Sequence, residues 1–250
     1  MQPAAHEFAR LYSRDYFESG DVRCGHVGDY FAERPALLAD GARLADWFAS
    51  LTQGRRLLEV GCASGAVLEA AAKNGWQVQG VEYSQDAARE ASQHGVPVHV
   101  GGLEDAPLPD ASQDVVFMGD VLEHVPDPSA TLREAARILA PGGALALRGP
   151  LTTNSFARRL GLGAMDAFGK RLMLREPPYH LWEFEPETLT KLVRAAGLRQ
   201  ESLTQSKTAP SLAKRKGPGA LAVAVLDALN VAWTNALGSA GDRCTLVARK

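Results

Sequence analysis

Cysteine is scarce in this chain. Its 250 residues hold 3, Cys24, Cys62 and Cys244, too few and too scattered for a disulfide framework or a zinc ribbon, so a reducing, cytoplasmic setting is expected. An excess of one charge is missing too: 27 basic and 29 acidic residues leave a net charge of -2, which argues against a nucleic-acid binder held by a broad basic surface. No window reaches the roughly 20 apolar residues of a transmembrane helix, and residues 1–14 lack the unbroken apolar core of a secretory signal. What remains is a chain that is 46% hydrophobic and 22% charged, a balance that suits one soluble α/β domain with a sizeable core.

The nearest approach to a membrane segment is Ala220–Leu237, interrupted by Asp227, Asn230, Thr234 and Asn235 and preceded by Lys214-Arg215-Lys216 and a Gly-Pro-Gly break. We read it as a helix packed on the domain, because its basic cluster is smaller than those that usually hold anionic membranes. A helix lying on a membrane surface, and hence peripheral membrane contact, is the alternative.

Residues 1–50 read as a helical cover with an aromatic-rich start (Phe8, Tyr12, Tyr16, Phe17) and a helix over 35–51. Tyr12, Tyr16, Tyr30 and Arg34 are candidates to close on a ligand, with core packing or a solvated face preferred for each. From residue 56 the pattern alternates. Strands are expected at 56–60, 77–82, 96–100, 114–119 and 144–148, with helices at 65–74, 85–94 and 128–139. This β-α order predicts a mostly parallel sheet with right-handed crossovers. Pro141-Gly142-Gly143 is expected to end a helix and turn into the fifth strand. A basic-amphipathic stretch over 154–176, a helix over 185–196 and two more strands at 198–204 and 245–249 complete the pattern.

The stretch Leu57-Leu58-Glu59-Val60-Gly61-Cys62-Ala63-Ser64-Gly65 places a buried strand, a turn of small residues and a helix start in succession. Open α/β sheets bind nucleotide-like ligands at such a place. The glycine spacing departs from G-x-G-x-x-G, and Glu59 would repel a pyrophosphate while suiting a cation. Three acids follow at successive strand ends. Glu82 ends the second strand about 20 residues on, where a carboxylate can accept ribose hydroxyls. Gly101-Gly102-Leu103-Glu104-Asp105 ends the third, and Gly119-Asp120-Val121-Leu122-Glu123-His124 ends the fourth.

As a set, these segments resemble the motifs of class I S-adenosylmethionine-dependent methyltransferases over about residues 55–150. The supporting runs are Gly80-Val81-Glu82-Tyr83-Ser84, Asp114-Val115-Val116-Phe117, Val121 through Pro128, and Arg137 through Gly143. The resemblance implies a Rossmann-like seven-stranded sheet in the order 3-2-1-4-5-7-6, last strand antiparallel, with helices on both faces. It also implies an N-terminal cover at 1–50 and a methyltransferase domain at 51–250 with a lid insertion about 151–185. Phe156, Met165, Phe168, Met173, Tyr179 and Trp182 would form the lid's apolar wall.

By the same resemblance, Glu59, Gly61, Cys62, Ala63 and Gly65 would line the methionine end of the cofactor, Glu82 its ribose and Tyr83 its adenine face. Gly102, Leu103 and Glu104 would sit at the adenine edge. Many relatives carry an acid where this chain has Gly102, so Glu104 would reach the adenine amine instead. Asp120 would lie near the methionine of the cofactor or the reacting centre, and His124 or His180 would serve as base toward a hydroxyl.

The run Asp120 to His124 is also similar to the acid-x-x-Glu-His segment of ubiquinone-biosynthesis O-methyltransferases, where a divalent cation can bind. Metal dependence is not the favoured reading here. The expected activity is methyl transfer to oxygen of a small molecule, with nitrogen and carbon acceptors, the identity of the acceptor and the oligomeric state left open. The alternatives are a cofactor-binding but catalytically idle partner, a dinucleotide oxidoreductase and an RNA methyltransferase.

Overall fold

A strand that is apolar at nearly every position must be covered on both sides. In the computed structural model, which describes residues 31–151, 153–156, 158, 159, 163, 180–207 and 220–250, strand β1 (Arg56–Val60) is buried along 57–60. It follows helix α1 (Arg34–Leu51) and leads into α2 (Ala66–Lys73). Then come β2 (Gln77–Glu82), α3 (Gln85–Gln93), β3 (Val98–Val100), a 3-10 turn (Leu103–Asp105), β4 (Gln113–Gly119), α4 (Pro128–Ile138) and β5 (Leu139–Pro150). The chain closes with α5 (Pro186–Ala195), β6 (Arg199–Ser206), α6 (Ala220–Leu237) and β7 (Arg243–Arg249).

The strands form one sheet in the order β3-β2-β1-β4-β5-β7-β6, as expected. The β1–β2, β1–β4, β2–β3 and β4–β5 pairs are parallel, and β7 runs antiparallel to both β5 and β6. Period-2 alternation sorts the apolar side chains. Leu57, Val115, Phe117, Ala144 and Ala146 pack with Leu44 and Phe48 of α1, Leu68 of α2 and Ala91 of α3. Leu58, Val116, Met118, Leu145 and Leu147 pack with Leu132 and Ile138 of α4 and Leu189 and Val193 of α5. A layer of helices therefore lies on each face.

Local chemistry starts the helices. The Ser84 hydroxyl accepts from Ala87 N to cap α3. Asp127 accepts from Ser129 N and Ala130 N to cap α4, with Pro128 in its first turn. One boundary differs from expectation: Pro141-Gly142-Gly143 belongs to β5, which begins at Leu139. Leu139 already pairs with Gln113, a bulge follows, and Ala144 pairs with Val115. Across the bulge, Lys250 N donates to Gly143 O and Gly142 N to Lys250 O, so Lys250 pins this segment in the sheet.

The turn after β1 requires left-handed backbone. Gly65 has φ +70, and a Cβ there would stand 2.8 Å from Ala91 Cβ. Gly75 has φ +82 with nothing within 4 Å. We therefore expect Gly65→Ala to cost about 2 kcal/mol or more in urea unfolding, combining backbone strain with overpacking, and Gly75→Ala to cost about 1 kcal/mol from strain alone.

Candidate active site

The carboxyl ends of β1, β2 and β4 converge on a cavity of about 650 Å³. Its wall includes Glu59, Gly61, Cys62, Ala63, Glu82, Tyr83, Leu103, Glu104, Asp120, His124 and His180. Eleven of the thirteen residues singled out from sequence are thus brought together. Gly65 and Gly102 do not line it; they act by lacking a side chain. Gly65 lets α2 approach α3. At Gly102, a Cβ would stand 2.6 Å from the Tyr83 hydroxyl and 3.0 Å from Glu104 Oε2, so those two side chains fill the space an acid at 102 would enter.

Glu82 holds the turn together. Its Oε2 accepts from Ala63 N at 2.9 Å and its Oε1 from Ser84 N at 2.8 Å. Gly61 N and Cys62 N donate to Val81 O, so the end of β2 clamps the turn after β1 with main-chain and side-chain bonds. Ala63, at φ +46, is held left-handed without glycine's freedom. Burial raises the Glu82 pKa, opposed by the backbone N–H groups of Ser84, Ala63 and Tyr83.

Glu59 has no such support. It is buried, its Oε2 has no hydrogen-bond partner, and desolvation followed by repulsion from Glu82 pushes its pKa well above the ordinary carboxyl range. The same surroundings push the Cys62 thiol up, with burial first and Glu59 and Glu82 next. A pair of buried acids facing a cavity suits a ligand that brings positive charge. Beside them, burial and then Glu104 and Asp105 push Tyr83 up to about 12. Glu104 Oε1 accepts from the Thr131 hydroxyl at 2.5 Å.

On the other side of β1, the segment after β4 gathers a second polar group. Asp120 adopts φ +55 and receives Arg243 Nη2 at 2.7 Å on each carboxylate oxygen. One atom each from Glu123, His124 and His180 forms a cluster with all members within 4.8 Å of one another. The two imidazoles meet edge to face with centroids 4.9 Å apart. Glu123 O accepts from Leu181 N and Trp182 N, which draws His180 in from a distant part of the chain. Desolvation moves the Glu123 carboxyl up to about 7; Asp120 adds to the rise, while its backbone hydrogen bond, His180 and Arg243 oppose it.

Arg34 does not line the cavity: Nη1 donates to Ser64 O at 3.0 Å and Nη2 pairs with Glu69, tying α1 to the turn and α2. Phe156 packs edge to face on Trp233 and Trp182 Nε1 donates to Val125 O; neither lines the cavity. Tyr12, Tyr16, Tyr30, Met165, Phe168, Met173 and Tyr179 lie outside the described residues. Sequence reasoning overlooked Arg243, Arg148 and the α1 residues Leu37, Asp40 and Leu44, all on the cavity wall. No local signal marks them. Glu123 was legible, since it adjoins His124 in the same motif.

The profile of the family described as "Methyltransferase domain" matches residues 30–203. The chain belongs to that family, in its class I S-adenosylmethionine-dependent form. This methyltransferase domain is 33% identical over 159 residues to a ubiquinone biosynthesis O-methyltransferase of Xanthomonas oryzae pv. oryzae, covering 60% of this chain and 65% of that one. A protein of the same name from Thiobacillus denitrificans is 32% identical, with 60% and 67% covered. The matched part spans about 65% of the Xanthomonas relatives' length.

Among solved structures, a SAM-dependent methyltransferase from Archaeoglobus fulgidus matches with a TM-score of 0.61 at 19% identity, over 88% of this chain and 98% of that one. The cyclase SpnF matches at 0.58 and 24% identity, over 84% and 81%. At these identities the likeness establishes the fold alone.

A folded-state pKa raised above the unfolded value means that the native protein holds its proton more tightly. Stability is then greatest below the unfolded carboxyl range and is lost as pH climbs through the folded value. Glu59→Gln should raise the unfolding free energy of the ligand-free domain at pH 8 by about 1 kcal/mol and flatten its decline above roughly pH 4.3. Urea denaturation at several pH values checks this.

Proposed function

We propose that this protein binds S-adenosylmethionine and transfers its methyl group to an oxygen of a small molecule. The observation that supports this reading is the division of the cavity by β1. A buried acid pair, Glu59 and Glu82, lies at the β1–β2 side, and the Glu123-His124-His180 cluster lies beyond β4.

On the first side, Glu82 keeps lone pairs for ribose hydroxyls while its backbone bonds fix its orientation. Glu59 compensates the positive charge of the methionine end, which explains why it is left unpaired. Tyr83 and Leu103 flank the adenine, and Glu104 faces its amine. Gly61, Cys62 and Ala63 bring main chain close to the methionine end, and Gly65 makes the room for the helix that follows. Bound S-adenosylmethionine supplies an already activated methyl. The protein's task is then to align the acceptor and keep water out.

On the second side, a hydroxyl acceptor meets Glu123, His124 and His180. A carboxyl near neutrality and two imidazoles are suited to take its proton as the oxygen attacks. Asp120, fixed by Arg243, positions this wall. The cluster also fits a divalent cation, since one carboxylate and two imidazoles converge; Asp120 is engaged with Arg243 and stands outside that set. Such a cation would lower the pKa of a coordinated hydroxyl. We take residues 1–50 as a cover and 51–250 as the catalytic domain, with a lid insertion about 151–185; Pro150, just before that insertion, and His180, within it, border this side.

Calorimetry should detect binding of S-adenosylhomocysteine and none of NAD; the converse would overturn the reading. Glu82→Ala should weaken S-adenosylhomocysteine about a hundredfold, from two lost hydrogen bonds to a charged group. With a catechol and a matched aromatic amine as acceptors, mass spectrometry should find the methyl on the catechol. Glu123→Gln should lower kcat about a hundredfold with little change in S-adenosylhomocysteine affinity. Tight cofactor binding without methylation of any hydroxyl acceptor would favour an idle partner protein instead.

A further inference from the structure

Helix α6 is inside out. It buries Asp227, Asn230 and Thr234 and exposes Val225, Leu229, Trp233 and Leu237 at 51%, 59%, 46% and 61%. A helix packed on a soluble domain normally presents the opposite arrangement. The four exposed residues follow steps of four and so form one line along the helix. The exposed Ala228, Ala232 and Ala236 widen it, and no exposed position over 224–237 carries a charge.

The buried polar face explains why the stripe cannot turn inward. Asn230 Oδ1 accepts from Phe156 N at 2.8 Å, and its Nδ2 donates to Ala240 O at 2.7 Å. Thr234 Oγ1 donates to Asn230 O at 2.8 Å. Lys207 Nζ lies 3.5 Å from Asp227 Oδ1 and also pairs with Asp242. Rotating α6 would break the Asn230 bonds to Phe156 N and Ala240 O and part Asp227 from Lys207, while the Thr234 bond lies within the helix.

The surrounding charge selects what the stripe meets. Residues 208–219, the chain leading into α6, include Lys214, Arg215 and Lys216 and no acid. Arg159 stands exposed beside Phe156, whose ring contacts Trp233. The helix's one acid, Asp227, is turned inward onto Lys207. An uncharged line of aliphatic side chains with an indole, preceded in the chain by a basic segment and with Arg159 three residues on from Phe156, matches an anionic bilayer surface: apolar side chains for the acyl boundary, tryptophan for the interface, cations for the headgroups. No helix among the described residues is long and apolar enough to cross a membrane, so the contact is one of lying on the surface.

We propose that α6 is an interfacial helix that docks this protein on anionic phospholipid. Residues 238–242 join α6 to Arg243, on the cavity wall, so docking places that edge of the sheet next to the bilayer. The proposal does not depend on which acceptor the enzyme methylates.

Co-sedimentation of the full chain with vesicles tests it. The protein should pellet with an equimolar mixture of phosphatidylcholine and phosphatidylglycerol, weaken as sodium chloride is added, and stay in solution with phosphatidylcholine alone. Leu229→Glu with Trp233→Ser should reduce partitioning about tenfold or more while leaving thermal stability and S-adenosylhomocysteine affinity unchanged. Should that variant fold poorly, Lys214→Ser with Arg215→Ser and Lys216→Ser should show the same loss. Failure to pellet, equal partitioning to neutral vesicles, or variants that bind like the parent would overturn the proposal. So would sedimentation velocity showing a lipid-free dimer that Leu229→Glu dissociates, which would assign the face to a second copy of the chain.

Discussion

Two buried carboxylates at the ends of neighbouring strands set the terms for the whole binding site. Glu82 is neutralised in part by main-chain donors from Ala63 and Ser84, and in accepting them it holds the turn after β1 in its left-handed shape. Glu59, one strand over, has no donor on Oε2 and bears the repulsion of Glu82 on top of its burial. Under the proposed function, a positively charged ligand in the cavity this pair faces would remove the penalty, and stability and ligand affinity would then be opposed at one residue.

The same division of labour runs through the rest of the cavity. Residues whose polar groups are satisfied by the protein serve to shape it: Arg34 ties α1 to Ser64 and Glu69, Asp120 is locked to Arg243, and Glu104 is turned by Thr131. Glu59 and Glu123, on the cavity wall, are instead carboxyls whose pKa values burial pushes up. Exposed ion pairs such as Arg243–Asp120 contribute little stability; their value is in fixing where a side chain points. At the far side of β5, the polar contacts of α6 work in the same way, trading a conventional apolar interface for one that fixes the helix's rotation and leaves its apolar stripe outward.

Much of this was legible in the chain. Each strand and helix is encoded by short-range patterns: the buried run at 57–60, the Ser84 and Asp127 caps, and small residues at 61–65. Acids directly after strands fall at the carboxyl edge of a parallel sheet whatever the details of packing, so Glu59, Glu82, Glu104 and Asp120 could be placed in one crevice before any coordinates. The bulge that absorbs Pro141-Gly142-Gly143 into β5 could not be read in this way, because what holds it in the sheet is pairing with Lys250, more than 100 residues away.

By itself, then, the sequence determined the fold class, the strand order through its family motifs and the crevice that receives the ligand, since periodicity, capping and strand-end acids are local properties. Tertiary structure decided which charges are compensated. Arg243 reaches Asp120 across 123 positions, His180 joins Glu123 and His124 through main-chain bonds at Leu181 and Trp182, and α6 turns its polar side inward because Asn230 finds Phe156 and Ala240. Each of these depends on a partner far away in the chain, and the free energy of a buried or unburied charge is set by its neighbours in space.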